Sequence, residues 1–354
     1  MTDVAQAYCP ECKEPNDDVR LHRRDFVRLV SRGAVAVTSA GMFLGGVRPL
    51  IRADEIQAVS PKMKPGEELV RELFASMSPA QRAELVLPWN HGADSEKGLP
   101  TRLGMYNSAI GGKKIGDHYS KPQQELIERI LRAISADEAG YRQLSRNGTF
   151  DNSGSLTSCG AVIFGDPAQK EKFSWVFTGH HLTVRCDGNS EEGAAFGGPM
   201  YYGHSPNGYS EKNIFNYQTK RVLGVFDALD PGQRTRAVIR GTPGEQAASV
   251  RFRKGSEALP GIAYQDLSSD QRQLVENVMR DLLSPYRRED ADEVMQIIKA
   301  QGGMEKIHLA FYEDQQMKDN ERWHFWRLEG PSFVWNYRVL PHVHTFVNIS
   351  SRTA

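Results

Sequence analysis

The chain has 354 residues, 25% of them charged and 39% hydrophobic, which is ordinary for a globular protein of one large domain or two smaller ones. Its 44 basic and 44 acidic residues cancel, and the part after residue 53 holds 36 against 38. Without a basic excess the chain lacks the counterion-releasing surface that nucleic acid needs and the Lys/Arg clusters that anionic lipid attracts, so neither is expected as a partner.

Residues 1–53 read as a twin-arginine export signal. Residues 18–28 run Asp-Val-Arg-Leu-His-Arg-Arg-Asp-Phe-Val-Arg, with Arg23 and Arg24 as the pair and Phe26 and Val27 at the hydrophobic positions after it. Residues 33–47 are small, apolar and uncharged, too short to span a bilayer comfortably. Arg48, Arg52 and then Ala53, a plausible cleavage point, complete the order of basic region, weak apolar region and small residue. This predicts the twin-arginine translocase as a partner, a periplasmic or extracellular destination and no stable membrane span after cleavage. Cys9 and Cys12 form Cys-Pro-Glu-Cys upstream of the arginines; a zinc site would need a second such pair, and they leave with the leader. Cys159 and Cys186 would reach an oxidising compartment, where they form either one disulfide or two separate buried thiols.

Residues 54–66 read as a linker, and residues 67–354 as a single domain. Helical signals run from about residue 66 to 146. Leu69, Val70, Leu73 and Phe74 recur at helical spacing, Ser78-Pro79-Ala80-Gln81 is a helix start, and Leu126, Ile127, Ile130 and Leu131 continue the pattern. Cys159 to Gly165 and Phe173 to Asp187 are strand-like, and Gly193 to Gly208 reads as a long glycine-rich loop. Helices return at about 220–240, within which Asp230-Pro231-Gly232-Gln233 marks another start, and at 267–300, capped at Ser268. Lys306–Tyr312, Trp323–Glu329, Ser332–Tyr337 and Val343–Ile349 read as strands, with a tight turn at Gly330-Pro331. The expected fold is α+β, with a helical N-terminal part packed on a largely antiparallel sheet.

The chemistry lies in the histidines. His180 and His181 fall in Phe-Thr-Gly-His-His-Leu, where two strand-like runs meet; His342 and His344 open the last strand. Residues two apart on a strand share a face, so His342 and His344 present two imidazoles side by side, a common seat for a transition metal. His180 and His181 would point to opposite faces unless a bulge after Gly179 turns both inward; otherwise one binds and its neighbour orients something else. The four are taken as metal ligands for zinc, copper or iron, against the plainer reading of hydrogen-bonded core or surface residues. His204, in Gly-His-Ser-Pro of the glycine-rich loop, is left out of the set. Trp175, Trp323, Trp326 and Trp335 read as core.

Other chemistry fails on inspection: there is no HExxH, G-x-S-x-G or P-loop. A His-His-x-x-x-Asp acyltransfer motif would need Asp at 185, where Arg185 stands. Arg327 and Glu329 share one face of a strand and are the candidate catalytic residues, Arg327 steering an anionic substrate; the plainer reading is a surface ion pair.

Four runs, in this order, resemble an uncharacterised bacterial family called domain of unknown function 3500: Trp175 to Leu182, Tyr201-Tyr202-Gly203-His204-Ser205-Pro206, Trp326-Arg327-Leu328-Glu329-Gly330-Pro331, and His342-Val343-His344. The resemblance extends from about Met77 to Ser351. It implies no established activity, and it supports treating the four histidines as one constellation. Three functions then compete: an exported metal-dependent enzyme, redox or hydrolytic, acting on a small molecule; a metal-free enzyme using a histidine pair for acid–base work; and a non-catalytic envelope protein binding a small molecule or glycan through Trp and Tyr.

Overall fold

The computed structural model describes residues 65–93, 99–168, 171–245, 250–253, 257–314 and 322–352. Residues 1–53, expected to be an export leader and including Cys9 and Cys12, and most of the expected linker lie outside these residues. The first helix, α1 (Pro65–Ser76), begins within the segment expected to be a linker.

The described helices are α1, α2 (Pro79–Leu85), α3 (Ile115–His118), α4 (Lys121–Ala133), α5 (Glu138–Ser145), α6 (Asn216–Ala228), α7 (Pro231–Ala237), α8 (Ser269–Leu283) and α9 (Arg288–Ala300). Their starts are written locally. Ser78, Asp230 and Ser268 each accept the backbone N–H three residues on, while Gln81, Gln233 and Gln271 reach back to the cap amide. Each such box satisfies two otherwise orphaned donors.

The strands are β1 (Val86–Leu87), β2 (Gly160–Gly165), β3 (Phe173–Gly179), β4 (Leu182–Cys186), β5 (Met200–His204), β6 (Val238–Arg240), β7 (Ile262–Ala263), β8 (His308–Glu313), β9 (Phe325–Gly330), β10 (Phe333–Arg338) and β11 (Val343–Ile349). They form one mixed, mostly antiparallel sheet in the order β1-β2-β3-β4-β5-β11-β10-β9-β8-β6, with β7 beside β8. The α+β single-domain expectation therefore holds. The glycine-rich loop expectation for 193–208 does not: β5 runs through it, because Met200, Tyr201 and Tyr202 supply the alternating bulk that seats a strand between β4 and β11.

The sheet divides the molecule by side-chain parity. The row Val347, Trp335, Leu328 and Leu309, in register across four strands, joins the apolar faces of the helices in one large core. All four tryptophans expected in the core are fully buried there. The opposite face carries His344, Arg338, Phe346, Asn336 and Arg327, and among the described residues segments outside the α-helices bond to it. Residues 102–107 bond to it through Tyr106 N–H on Thr183 Oγ1 at 2.8 Å and the Arg102 carbonyl accepting Arg185 Nε at 2.6 Å. Gly244 and Val250 also bond to it, the Gly244 carbonyl accepting from Asn336 Nδ2 and the Val250 carbonyl from Asn348 Nδ2. Buried backbone and polar side chains satisfy one another on this face, so it tolerates a polar site that the helical core would not.

Cys159 and Cys186 are both buried and unpaired, so of the two readings the separate thiols are the observed one. Cys159 stands just before β2, and Cys186 ends β4 opposite Trp175 of β3, the strand between them.

Candidate metal centre

Three of the four singled-out histidines meet at one point. His344 Nε2 lies 2.9 Å from His181 Nε2 and 3.0 Å from His342 Nε2. His342 and His344 arrive by the period-two rule at the start of β11. His181 arrives by a different device from the one expected. It sits in the β3–β4 turn with φ +54°, and this left-handed residue swings its ring onto the sheet face that carries His344. Its amide donates to Asn107 Oδ1 at 2.5 Å, which fixes the turn from the segment before α3. His180 does not reach the Nε2 cluster; its Nδ1 lies 3.2 Å from Asp151 Oδ2.

Behind the three rings stand carboxylates. His181 Nδ1 hydrogen-bonds Asp151 Oδ2, and His344 Nδ1 lies 3.0 Å from Glu245 Oε1. Glu245 Oε2 in turn accepts Arg338 Nη1 at 2.6 Å, and Arg338 Nε donates to the His342 carbonyl at 3.2 Å. A carboxylate can only accept there, so the protons of His181 and His344 sit on Nδ1 and their Nε2 atoms are bare lone pairs. An imidazole nitrogen has one in-plane position, a proton or a lone pair. His344 Nε2 therefore cannot serve both of its close nitrogen neighbours as hydrogen bonds. A single cation at the point of convergence satisfies all three.

The spacing fits that cation: bonds of about 2.0–2.1 Å set nitrogens about 2.9 Å apart in a facial octahedral set and about 3.3 Å apart in a tetrahedral one. Electrostatics agree. Burial, reinforced by Arg338 and the neighbouring rings, holds His342 and His344 below the usual histidine range, His342 at about 3. Burial also lowers His181, against the opposing hydrogen bond from Asp151. All three are neutral imidazoles, the form that ligates. Burial tends to raise Asp151, but the contacts of His180, His181 and His204 outweigh it and keep the carboxyl ionised. Glu245 is pushed up by burial and pulled back by Arg338.

Arg146 locks this arrangement from below. Fully buried, it donates through Nε to the Gly203 carbonyl at 2.8 Å and through Nη2 to the carbonyls of His181 and Gly203. Arg146 and Asp151 have φ +49° and +53°, and with His181 they place three non-glycine residues in the left-handed region, each at a cost of about 1–3 kcal/mol.

The residues that the sequence left unassigned are Arg146, Asp151, Glu245, Arg338 and His204. Asp151 lies in a run of turn-type residues, Phe-Asp-Asn-Ser-Gly, and Glu245 in Thr-Pro-Gly-Glu, and neither carries a periodic signal. His204 ends β5 with its Nδ1 3.2 Å from Asp151 Oδ1. Arg327 and Glu329 lie on the same face of the sheet, two strands from β11. Glu329 accepts Arg327 Nε at 2.8 Å and Arg253 Nε at 2.7 Å. The pair is buried, at 6% and 1% exposure, so it is not the surface ion pair of the plainer reading.

No curated protein and no solved structure matches the chain. A family model described as "Protein of unknown function (DUF3500)" matches residues 61–351, which include every residue of the histidine cluster, and the chain belongs to that family.

Proposed function

We propose that the protein binds a transition metal ion through Nε2 of His181, His342 and His344 and is an exported metal-dependent enzyme acting on a small molecule. The observation that carries this reading is the convergence of three Nε2 atoms, two of them on rings whose Nδ1 is tied to a carboxylate. Such outer carboxylates fix ring orientation and raise ligand basicity. Three imidazoles leave coordination positions open, as in catalytic sites, where structural sites close with four protein ligands. Neutral imidazole suits zinc, copper or iron. When bound, the ion supplies a Lewis acid or a redox centre. The chain's own residues do the positioning: Asp151 and Glu245 hold the rings, Arg146 holds the His181 turn, and Arg338 neutralises Glu245. Arg327 and Glu329 are the candidate groups for an anionic substrate on the same face.

The arginine pair at Arg23 and Arg24 supports export by the twin-arginine route, which carries folded proteins and so suits a chain loaded with metal before it leaves the cytosol. Elemental analysis of natively exported protein is the test. Stoichiometric zinc, copper or iron, lost in His342→Ala and His344→Ala, is the expected result. Metal-free protein with unchanged stability in chelator would overturn the reading.

A further inference from the structure

We infer that His204 is a positioning residue of the centre: by holding the second oxygen of Asp151, it fixes the carboxylate that orients the His181 ring toward β11. The inference rests on the reading of His181 as a metal ligand, and it names the group that holds the residue behind it.

The two oxygens of Asp151 have different neighbours. Oδ2 accepts from His181 Nδ1, and it also faces His180 Nδ1 and Ser205 Oγ, each at 3.2 Å. Oδ1 faces His204 Nδ1 at 3.2 Å. The carboxyl is ionised and can only accept, so the His204 nitrogen beside it carries the proton. That nitrogen is buried, and a buried N–H needs an acceptor; Oδ1 is the one beside it. Donors on Oδ2 alone would leave the carboxylate free to turn about Cβ–Cγ and to tilt away from the His181 ring. A contact on Oδ1 stops that rotation. Asp151 has φ +53°, a backbone conformation costing about 1–3 kcal/mol that persists only where its surroundings hold it.

The segment from Arg146 to Asp151 grips the same two neighbours twice. Arg146 Nη2 donates to the carbonyls of His181 and Gly203, and five residues on, Asp151 meets the rings of His181 and His204. β5 is itself in register with β11, Gly203 opposite His344 and His204 opposite Val343. Asn213 Nδ2 donates to the His204 carbonyl at 3.1 Å, which holds the end of the strand. His204 thus links the strand beside His342 and His344 to the carboxylate behind His181. The approach of the three Nε2 atoms is set across that link. The His204 side chain keeps 18% exposure, so replacing it tests the contact with little loss of core packing.

The test compares His204→Asn, His204→Gln and His204→Ala. Asn carries its amide N–H where the ring carries Nδ1, and Gln where the ring carries Nε2, so Asn alone still reaches Oδ1. Zinc affinity, measured by chelator competition, should stay near wild type in Asn. It should fall about 10-fold in Gln and Ala, the lower end of what loss of a partner behind a metal-bound histidine costs. A second readout is the His181 Nδ1–H, which should give a far-downfield proton resonance in the metal-free chain, identified by its absence in His181→Gln. It should persist in His204→Asn and broaden or vanish in His204→Gln and His204→Ala. Urea midpoints separate this role from a structural one. A variant that is less stable but keeps wild-type zinc affinity and resonance when folded overturns the inference, as does equality of all three variants with wild type. If wild type takes up no zinc, the metal reading fails by itself, and the resonance still decides whether His204 holds Asp151 on His181.

Discussion

His181 and His344 are 163 residues apart in the chain, yet their Nε2 atoms face each other at 2.9 Å. Everything that holds this pair in place is specific and removable, and each support predicts a measurable effect.

Glu245 orients His344 through Nδ1 and is itself held by Arg338. Glu245→Ala should weaken zinc binding by about 10–100-fold, the usual result of losing a carboxylate behind a metal-bound histidine, with circular dichroism unchanged. Glu245→Gln, which still offers an oxygen to Nδ1–H, should lose less. Equal affinity in all three proteins would remove Glu245 from the site.

Arg146→Met leaves the carbonyls of His181 and Gly203 without their buried donor. Urea unfolding should show a loss of about 3 kcal/mol. Zinc affinity should fall with it, because the guanidinium that bridges the His181 and Gly203 carbonyls is gone and the Gly203 N–H is left to hold the His181 carbonyl. Stability lost with affinity retained would limit Arg146 to a structural role.

Gly203→Ala tests the close approach of β5 and β11. A Cβ there would meet the Val343 carbonyl oxygen at 2.2 Å and His344 Cδ2 at 3.3 Å. Overpacking of this kind costs about 1–3 kcal/mol, and here it falls beside a ligand. The variant should be both less stable and poorer in zinc. A thermal melt matching wild type would contradict the packing.

The metal-free protein should be acid-sensitive. Burial places the folded pKa of His181, His342 and His344 below the unfolded value of about 6.5, so the unfolded chain binds more protons between those limits. Their contribution is complete above about pH 6.5 and is lost as pH falls toward 3, the folded value for His342. Zinc at 100 times its Kd should add about 2.7 kcal/mol at neutral pH and lose that gain on the acid limb, where protons compete for the nitrogens. Denaturant midpoints measured across pH 4–8, with and without zinc, check both statements.

Arg327 and Glu329 separate by a different measurement. Glu329→Gln removes the charge that Arg327 and Arg253 share in a buried setting, so unfolding should cost about 3–5 kcal/mol less than in wild type. Zinc content should not change. Wild-type stability in this variant would free the two residues for a role in substrate handling.

The legible part of this molecule was whatever repeats locally. The capping boxes at Ser78, Asp230 and Ser268, the strands around Trp175 and Trp335 and the paired imidazoles of His342 and His344 all follow from spacing within a few residues. The supports of the site were not legible, because each depends on which strand lies beside which. Asp151 and Glu245 are single carboxylates in turns, and only the sheet order brings them behind rings some 30 and 99 residues away. His204 was hidden for a related reason: glycine and tyrosine around it read as loop, whereas pairing with β11 makes it the end of a strand. His181 is inward through a positive φ that its sequence does not announce, since the glycine that would permit one precedes the pair.

The position of β11 has a consequence for how the protein comes into being. It is the last of the described strands in sequence, yet it lies between β5 and β10, in the interior of the sheet. A nascent chain that has emerged only as far as β10 holds two half-sheets with facing open edges and one of the three converging nitrogens. Synthesis of residues 342–349 is the step that joins the halves and brings two further nitrogens at once. Closure of the fold and assembly of the centre are thus one event, so an incomplete chain exposes unpaired strand edges and offers a metal ion one nitrogen of the three.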